Sequence, residues 1–220
     1  MGKNTNIVLS VKCAPEGNYF RDIEKAGIKG VELYLSKKIL KDAQGIVALC
    51  RRYPFTYAVH APNEELPLEA LVSVVQHIKA RVVVFHNIYW DDEWERVYRA
   101  FRGIPVTLCV ENVSDIHEPI KFMRRYGFGM CLDLEHLQME CNGVYAEEFI
   151  RVIAQASHIH MTGYAFGSNR WHTQMHHAPE HATYLLGLIA ESGYKGMVVS
   201  EARMSQQTYD EFKRLKEFFE

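Results

Sequence analysis

Four residues in the second half of the chain have the side chains needed to grip a divalent cation: Glu111, Asp133, His160 and Glu201. Each closes a short apolar run, reading LCVE, CLD, HIH and VVSE in turn. An unpaired carboxylate in apolar surroundings is costly and needs a cation or a metal. Three carboxylates and one imidazole suit Mn²⁺, Co²⁺, Mg²⁺ or Zn²⁺ and leave coordination positions for a substrate. The same kind of ending recurs earlier, with Glu32 in VELYL, His60 in YAVHAPN and His86 in VVVFHN, while His136 lies three residues beyond Asp133. Lysine and arginine are scarce at these endings, so the expected neutralising charge is a metal ion. Glu32 is left outside the ligand set, as a neighbour of the ligands, a substrate contact or the acid of a buried ion pair.

Such residues converge only if the backbone brings the run endings together. Short β-branched runs at Ile7–Lys12, Gly30–Leu35, Thr56–His60, Arg81–His86, Pro105–Asn112, Phe128–Asp133, Ser157–Met161 and Gly196–Glu201 predict eight strands. Amphipathic stretches between them predict helices over Asn18–Ala26, Lys38–Tyr53, Pro67–Lys79, Asp91–Arg102, Ser114–Tyr126, Ala146–Gln155, Pro179–Ser192 and Ser205–Phe219. Trp94, Val97, Tyr98 and Phe101 follow helical spacing, and Gly27, Gly127 and Gly193 fall where C-terminal caps belong. Eight alternations predict an α/β chain folded as one (β/α)8 TIM barrel domain over residues 1–220. No glycine-rich phosphate loop supports an open doubly wound sheet instead. In a barrel of this kind the carboxyl ends of the strands form the active site, and period-two alternation points Glu111, Asp133, His160 and Glu201 the same way as Cys109, Cys131, His158 and Val199.

The totals agree with a single enzyme-sized domain. The chain has 220 residues, 48% of them hydrophobic, and a formal charge of −2. That balance argues against nucleic acid as partner and leaves a small molecule as the expected substrate. Five cysteines without a CxxC pair suggest reduced thiols and a cytoplasmic location. No apolar run long enough for a membrane span is present, and the first residues lack the pattern of a signal peptide. A homo-oligomer is left open.

The segments GVELYL, YAVHAPN, VVVFHN, CVENV, CLDLEH, HIHMTGY and VVSEAR, in this order, resemble the xylose isomerase-like barrel superfamily, which holds sugar isomerases and epimerases and also endonuclease IV-type nucleases. The resemblance implies that Glu111, Asp133, His160 and Glu201 hold one metal ion, that His136 touches substrate, and that Glu111 and Glu201 exchange a carbon-bound proton. For the nucleases it implies two or three zinc ions, with His60, His86 and His136 as further ligands and His176 or His177 as a histidine of the seventh loop. The aspartate expected in that loop is absent, and Gln174 stands near its place. Isomerisation or epimerisation of a small hydroxy-carbonyl compound is the leading expectation, with zinc-dependent phosphodiester hydrolysis as its alternative.

Overall fold

In the computed structural model, which describes residues 7–144 and 151–220, eight parallel strands close into a barrel in chain order. They are β1 (Val8–Cys13), β2 (Gly30–Tyr34), β3 (Thr56–His60), β4 (Val82–Phe85), β5 (Thr107–Glu111), β6 (Gly129–Asp133), β7 (His158–Met161) and β8 (Met197–Ser200). The closing pair aligns Val8 with Met197 and Val11 with Ser200. Registers elsewhere set Lys12 beside Glu32 and Asp133 beside His160.

Alternation sorts the strand side chains into two populations. Outward residues such as Val11, Val31, Leu33, Val59, Phe85, Val110, Leu132 and Ile159 join the apolar faces of the helices in one large core. Burying side chains of this size contributes roughly 1.5–3 kcal/mol each. Inward residues Ala58, Val82, Val84, Cys109, Cys131, Met197 and Val199 form a smaller cluster that fills the barrel. Its members are compact, as the narrow interior of an eight-stranded barrel requires. Gly129 shows how tight this space is: an added Cβ would lie 2.5 Å from Ser157 Oγ and 2.9 Å from Cys109 Sγ. Above this plug the inward positions turn polar, and Lys12, Glu32, His60, Glu111, Asp133 and His160 are all buried.

The surrounding helices are α1 (Gly17–Lys25), α2 (Ala43–Cys50), α3 (Leu68–Ile78), α4 (Asp91–Ala100), α5 (His117–Tyr126), α6 (Leu134–Glu140), α7 (Pro179–Glu191) and α8 (Tyr209–Phe219). On α4, Trp94 and Val97 are buried, as is Phe101 just beyond it, whereas Tyr98 stays 41% exposed at the edge of the stripe. Helix α5 stops at Gly127, whose φ of 70° ends the helix at no steric cost. The stretch expected as one helix from Lys38 divides into a 3₁₀ turn, Ile39–Asp42, and α2. Asp42 causes the division, because its side chain accepts from Gly45 N and caps a new helix there.

Helix α6 lies outside the expected set. It starts directly after β6 because the Asp133 side chain caps it, accepting from Glu135 N at 2.6 Å and His136 N at 3.0 Å. The helix expected at Ala146–Gln155 falls partly outside the described residues; residues 151–153 are helical. Among the described residues no helix is long and apolar enough to cross a membrane. All five cysteines are free thiols, as the lack of a CxxC pair suggests.

Candidate active site

The four residues predicted to share a cation do come together. His160 Nδ1 lies 3.2 Å from Glu201 Oε2, 3.5 Å from Glu111 Oε2 and 4.0 Å from Asp133 Oδ2. Both His160 Nδ1 and Glu201 Oε2 are buried with no hydrogen-bond partner. A site of bonds near 2.1 Å has ligand atoms separated by about 3.0–3.4 Å, octahedral to tetrahedral. Two of the three separations fall at or close to this range, and the third needs only a small contraction. The donor set therefore fits a divalent cation.

Glu32 orients the histidine at the centre of this set. Its Oε2 meets His160 Nε2 at 3.1 Å and His158 Nε2 at 2.6 Å. A carboxylate on one ring nitrogen fixes the imidazole and turns the other nitrogen toward the cation position. Glu32 and His158 are fully buried, so the arrangement is rigid. Burial opposes the charge on Glu32, but His160 and the hydrogen bond from His158 hold its pKa well below the ordinary carboxylate value.

Sequence reasoning missed Lys12. Strand β1 points its side chain into the barrel mouth, where Nζ lies 2.9 Å from Glu201 Oε1 and 3.8 Å from Glu32 Oε1. The expectation that basic groups are scarce at the strand endings is corrected here: one ammonium sits among the acids. Burial opposes its charge, yet Glu201, Glu32 and Glu111 raise its pKa beyond the ordinary lysine value. The available signal was the inward alternation of Ser10 and Lys12 at the carboxyl end of β1.

A second set of donors adjoins the first through Glu111. His60 Nε2 and His86 Nε2 each lie 3.3 Å from Glu111 Oε2. The His60 ring contacts the Ala61 carbonyl at 3.0 Å through Nδ1, which only a protonated Nδ1 can satisfy. Burial and the nearby Lys12 lower the His60 pKa, opposed by its contact with Glu111. His136 approaches the other oxygen, with Nδ1 3.5 Å from Glu111 Oε1. Burial opposes ionisation of Glu111, but His160, then hydrogen bonds from His60 and His86, hold its pKa well below normal. Asp133 behaves oppositely: burial pushes it up to about 6, opposed by His136 and reinforced by Glu111 and Glu201.

The seventh loop departs from expectation. His176 and His177 pair with Glu211 on α8, at 3.3 and 2.6 Å, and no ion pair joins them to the strand-end ring among the described residues. Gln174 is a buried anchor: Ser200 Oγ donates to its side chain at 2.7 Å and its backbone N donates to Gln206 at 2.9 Å. An uncharged anchor thus stands where the nuclease pattern wants an aspartate. Glu135 points away from the ring, as expected, and holds the loop instead, accepting from Thr162 Oγ1 at 2.6 Å and His172 N at 3.1 Å.

Beside the ring opens a cleft of about 270 Å³ lined by Lys12, Tyr34, His172, Glu201, Arg203 and Met204, among others. Trp171 packs on Tyr164 at 4.2 Å, and Trp90 is 79% exposed.

The molecule is thus a closed (β/α)8 barrel with a carboxylate–imidazole ring at the carboxyl mouth. No protein-family model matches the sequence, and no curated protein matches it. Among solved structures it is similar to D-allulose 3-epimerase from Methylomonas sp., at 12% identity over 99% of this chain and 98% of the other, with a TM-score of 0.65. The same epimerase in complex with D-allulose aligns over 94% of this chain and 87% of the other, at 12% identity and a TM-score of 0.64. Phosphoribosylanthranilate isomerase from Thermotoga maritima aligns at 12% identity over 96% of this chain and 97% of the other, with a TM-score of 0.59. At these identities the likeness is one of fold. It shows the eight-stranded α/β barrel that the alternation of strands and helices predicts.

Proposed function

We propose that this chain is a divalent-metal-dependent isomerase or epimerase acting on a small sugar, sugar phosphate or other hydroxy-carbonyl compound. One observation carries the reading: two ionised carboxylates, Glu111 and Glu201, flank His160 Nδ1 at 3.5 and 3.2 Å, and Glu201 lines the cleft. The similar solved structures include a D-allulose 3-epimerase and a phosphoribosylanthranilate isomerase, which supports the same class.

Glu111, Asp133, His160 and Glu201 would hold the cation. When bound, a divalent ion such as Mn²⁺, Co²⁺, Mg²⁺ or Zn²⁺ supplies electrostatic stabilisation for charge developing on neighbouring substrate oxygens, and so acidifies the adjacent C–H bond. Burial opposes the charge on Glu201, but the Lys12 ammonium and His160 keep its pKa below normal. A carboxylate so stabilised is a weak base, matched to an acidified carbon and not to an ordinary one. Glu201, on the cleft side, takes the carbon-bound proton, and Glu111, across the ring, returns one to the neighbouring carbon or the opposite face. His136 contacts substrate hydroxyls from its position beside Glu111 Oε1.

The test is exchange with solvent. Metal-loaded protein is incubated with free and phosphorylated ketoses in D₂O and followed by NMR. Deuterium entering at the carbon beside the carbonyl is the expected result. No exchange with any ketose, together with cleavage of bis(p-nitrophenyl) phosphate, would reverse the assignment.

That second outcome has an observation behind it. The donors His60, His86 and Glu111 lie within ligand distance of one another, and Glu111 belongs to both sets. His60, His86 and Glu111 would hold a second ion, and two zinc ions at the mouth would supply the charge that stabilises the attacking and leaving oxygens in phosphodiester hydrolysis. Two or three zinc ions per barrel mouth favour the hydrolase, and one favours the isomerase.

A further inference from the structure

The second half of the seventh loop carries donors that the barrel mouth does not use. His176 Nε2 and His177 Nε2 both face one oxygen, Glu211 Oε2, at 3.3 and 2.6 Å. The two rings lie 4.6 Å apart between centroids. Neither nitrogen of His176 has a hydrogen-bond partner, although both are buried. Leaving a buried polar atom unsatisfied costs about 1–3 kcal/mol, so an imidazole with two such atoms needs a reason. The His176–Glu211 distance matches the edge of a tetrahedron with bonds near 2.1 Å, about 3.3–3.4 Å, while His177 and Glu211 share a direct hydrogen bond at 2.6 Å that a bound ion would replace and widen. All three donor atoms fall within ligand distance of one another. The other oxygen of Glu211 faces Arg214 Nη1 at 3.5 Å, leaving Oε2 to the histidines. The Arg170 guanidinium donates to the His177 carbonyl, which holds that turn in place without engaging its ring.

We propose that His176, His177 and Glu211 form a second divalent transition-metal site, of the zinc class, separate from the strand-end ring. Two imidazoles and one carboxylate are a borderline-soft set that suits Zn²⁺, with water at the remaining position. The site joins a 3₁₀ turn of the seventh loop (Met175–His177) to the last helix, α8. Its consequence is mechanical. The same loop carries His172 into the wall of the cleft, so a cation clamped at its far end ties the cleft wall to the barrel's outer layer. The proposal does not depend on the reaction performed at the mouth.

The experiment counts zinc. Full-length protein is stripped with chelator, equilibrated with Zn²⁺, freed of excess metal and assayed for zinc per chain by mass spectrometry. Glu211→Gln and the pair His176→Asn with His177→Asn are compared with wild type and with Glu111→Gln. Glu211→Gln and the histidine pair should each lose one equivalent, while Glu111→Gln keeps that equivalent and loses metal at the mouth. Cobalt substitution gives a second readout, in which the four-coordinate Co²⁺ absorption disappears in Glu211→Gln and survives in Glu111→Gln. Circular dichroism on Glu211→Gln, the least disruptive change, separates metal loss from unfolding. An unchanged zinc count in a folded Glu211→Gln overturns the site. Loss of all zinc from that variant overturns its independence from the mouth.

Discussion

Lys12 and Glu201, 189 positions apart in sequence, meet at 2.9 Å between Nζ and Oε1 at the barrel mouth. The contact crosses the seam where the first strand pairs with the last, and it places a fixed positive charge among acids that otherwise call for a metal ion. The ammonium and a divalent cation therefore share the task of neutralising Glu201.

Replacing Lys12 by Met leaves Glu201 and Glu32 without that charge. Breaking a buried pair by removing one partner costs about 3–5 kcal/mol. Metal-free Lys12→Met should melt well below metal-free wild type, and saturating Mn²⁺ or Zn²⁺ should restore more of the loss than it adds to wild type. Differential scanning calorimetry with and without metal measures both, and equal melting temperatures without metal would show the pair to be incidental.

Glu32→Gln tests the positioning of His160. The carboxylate reaches His160 Nε2 at 3.1 Å and has no direct contact with the proposed cation. Loss of such a partner typically weakens metal affinity about 10–100-fold. Calorimetric titration with Zn²⁺ should show that loss with an unchanged number of sites at the mouth. Full affinity in a folded variant would remove Glu32 from the metal centre.

Metal binding should release protons. Asp133 is pushed up to about 6 by burial. Burial opposes protonation of His160, but Cys131 and the Glu32 and Glu111 carboxylates raise its pKa well above normal. Both must lose protons to act as ligands. Apparent affinity should climb as pH rises through about 6, where Asp133 loses its proton, and go on climbing above it as His160 loses its own. Titration in buffers of different ionisation enthalpy reads the proton count directly.

The sign for stability follows from the same shift. Between the ordinary 3.8 and about 6, the folded metal-free protein binds more protons at Asp133 than the unfolded chain does. Stability from this group falls as pH rises through that window. Asp133→Asn keeps an oxygen to cap α6 and removes the charge, so it should stabilise the metal-free protein at pH ~7 and hardly at pH ~4. Chemical denaturation at both values checks it; a variant destabilised equally at both would contradict the shift.

Glu111→Gln and Glu201→Gln should each slow solvent exchange of the substrate proton by about 10²–10⁴-fold if each acts in proton transfer. The Glu111 variant should also lose metal at the mouth, since this carboxylate belongs to both donor sets. Exchange at the wild-type rate in either variant would remove that residue from the reaction.

Much of the architecture was legible because β-strands and amphipathic helices write their periods into the chain. Eight apolar runs with turn residues between them predict eight strands, and the polar endings LCVE, CLD, HIH and VVSE mark the inward end of four of them. Helix α6 was hidden because an aspartate that looks like a ligand also caps a helix. His176 and His177 entered as loop candidates through the resemblance alone, and their partner Glu211 was hidden because it lies on a later helix.

The linear order of residue types determined that acids and imidazoles end successive strands, because alternation along a strand is a local property. Only the closed barrel decided which of them touch. Register across the β1–β8 seam brings Lys12 to Glu201, and closure through that seam brings Glu32 on β2 to His160 on β7. These contacts depend on distances between strands that share no local sequence, and such distances exist only once the sheet has closed.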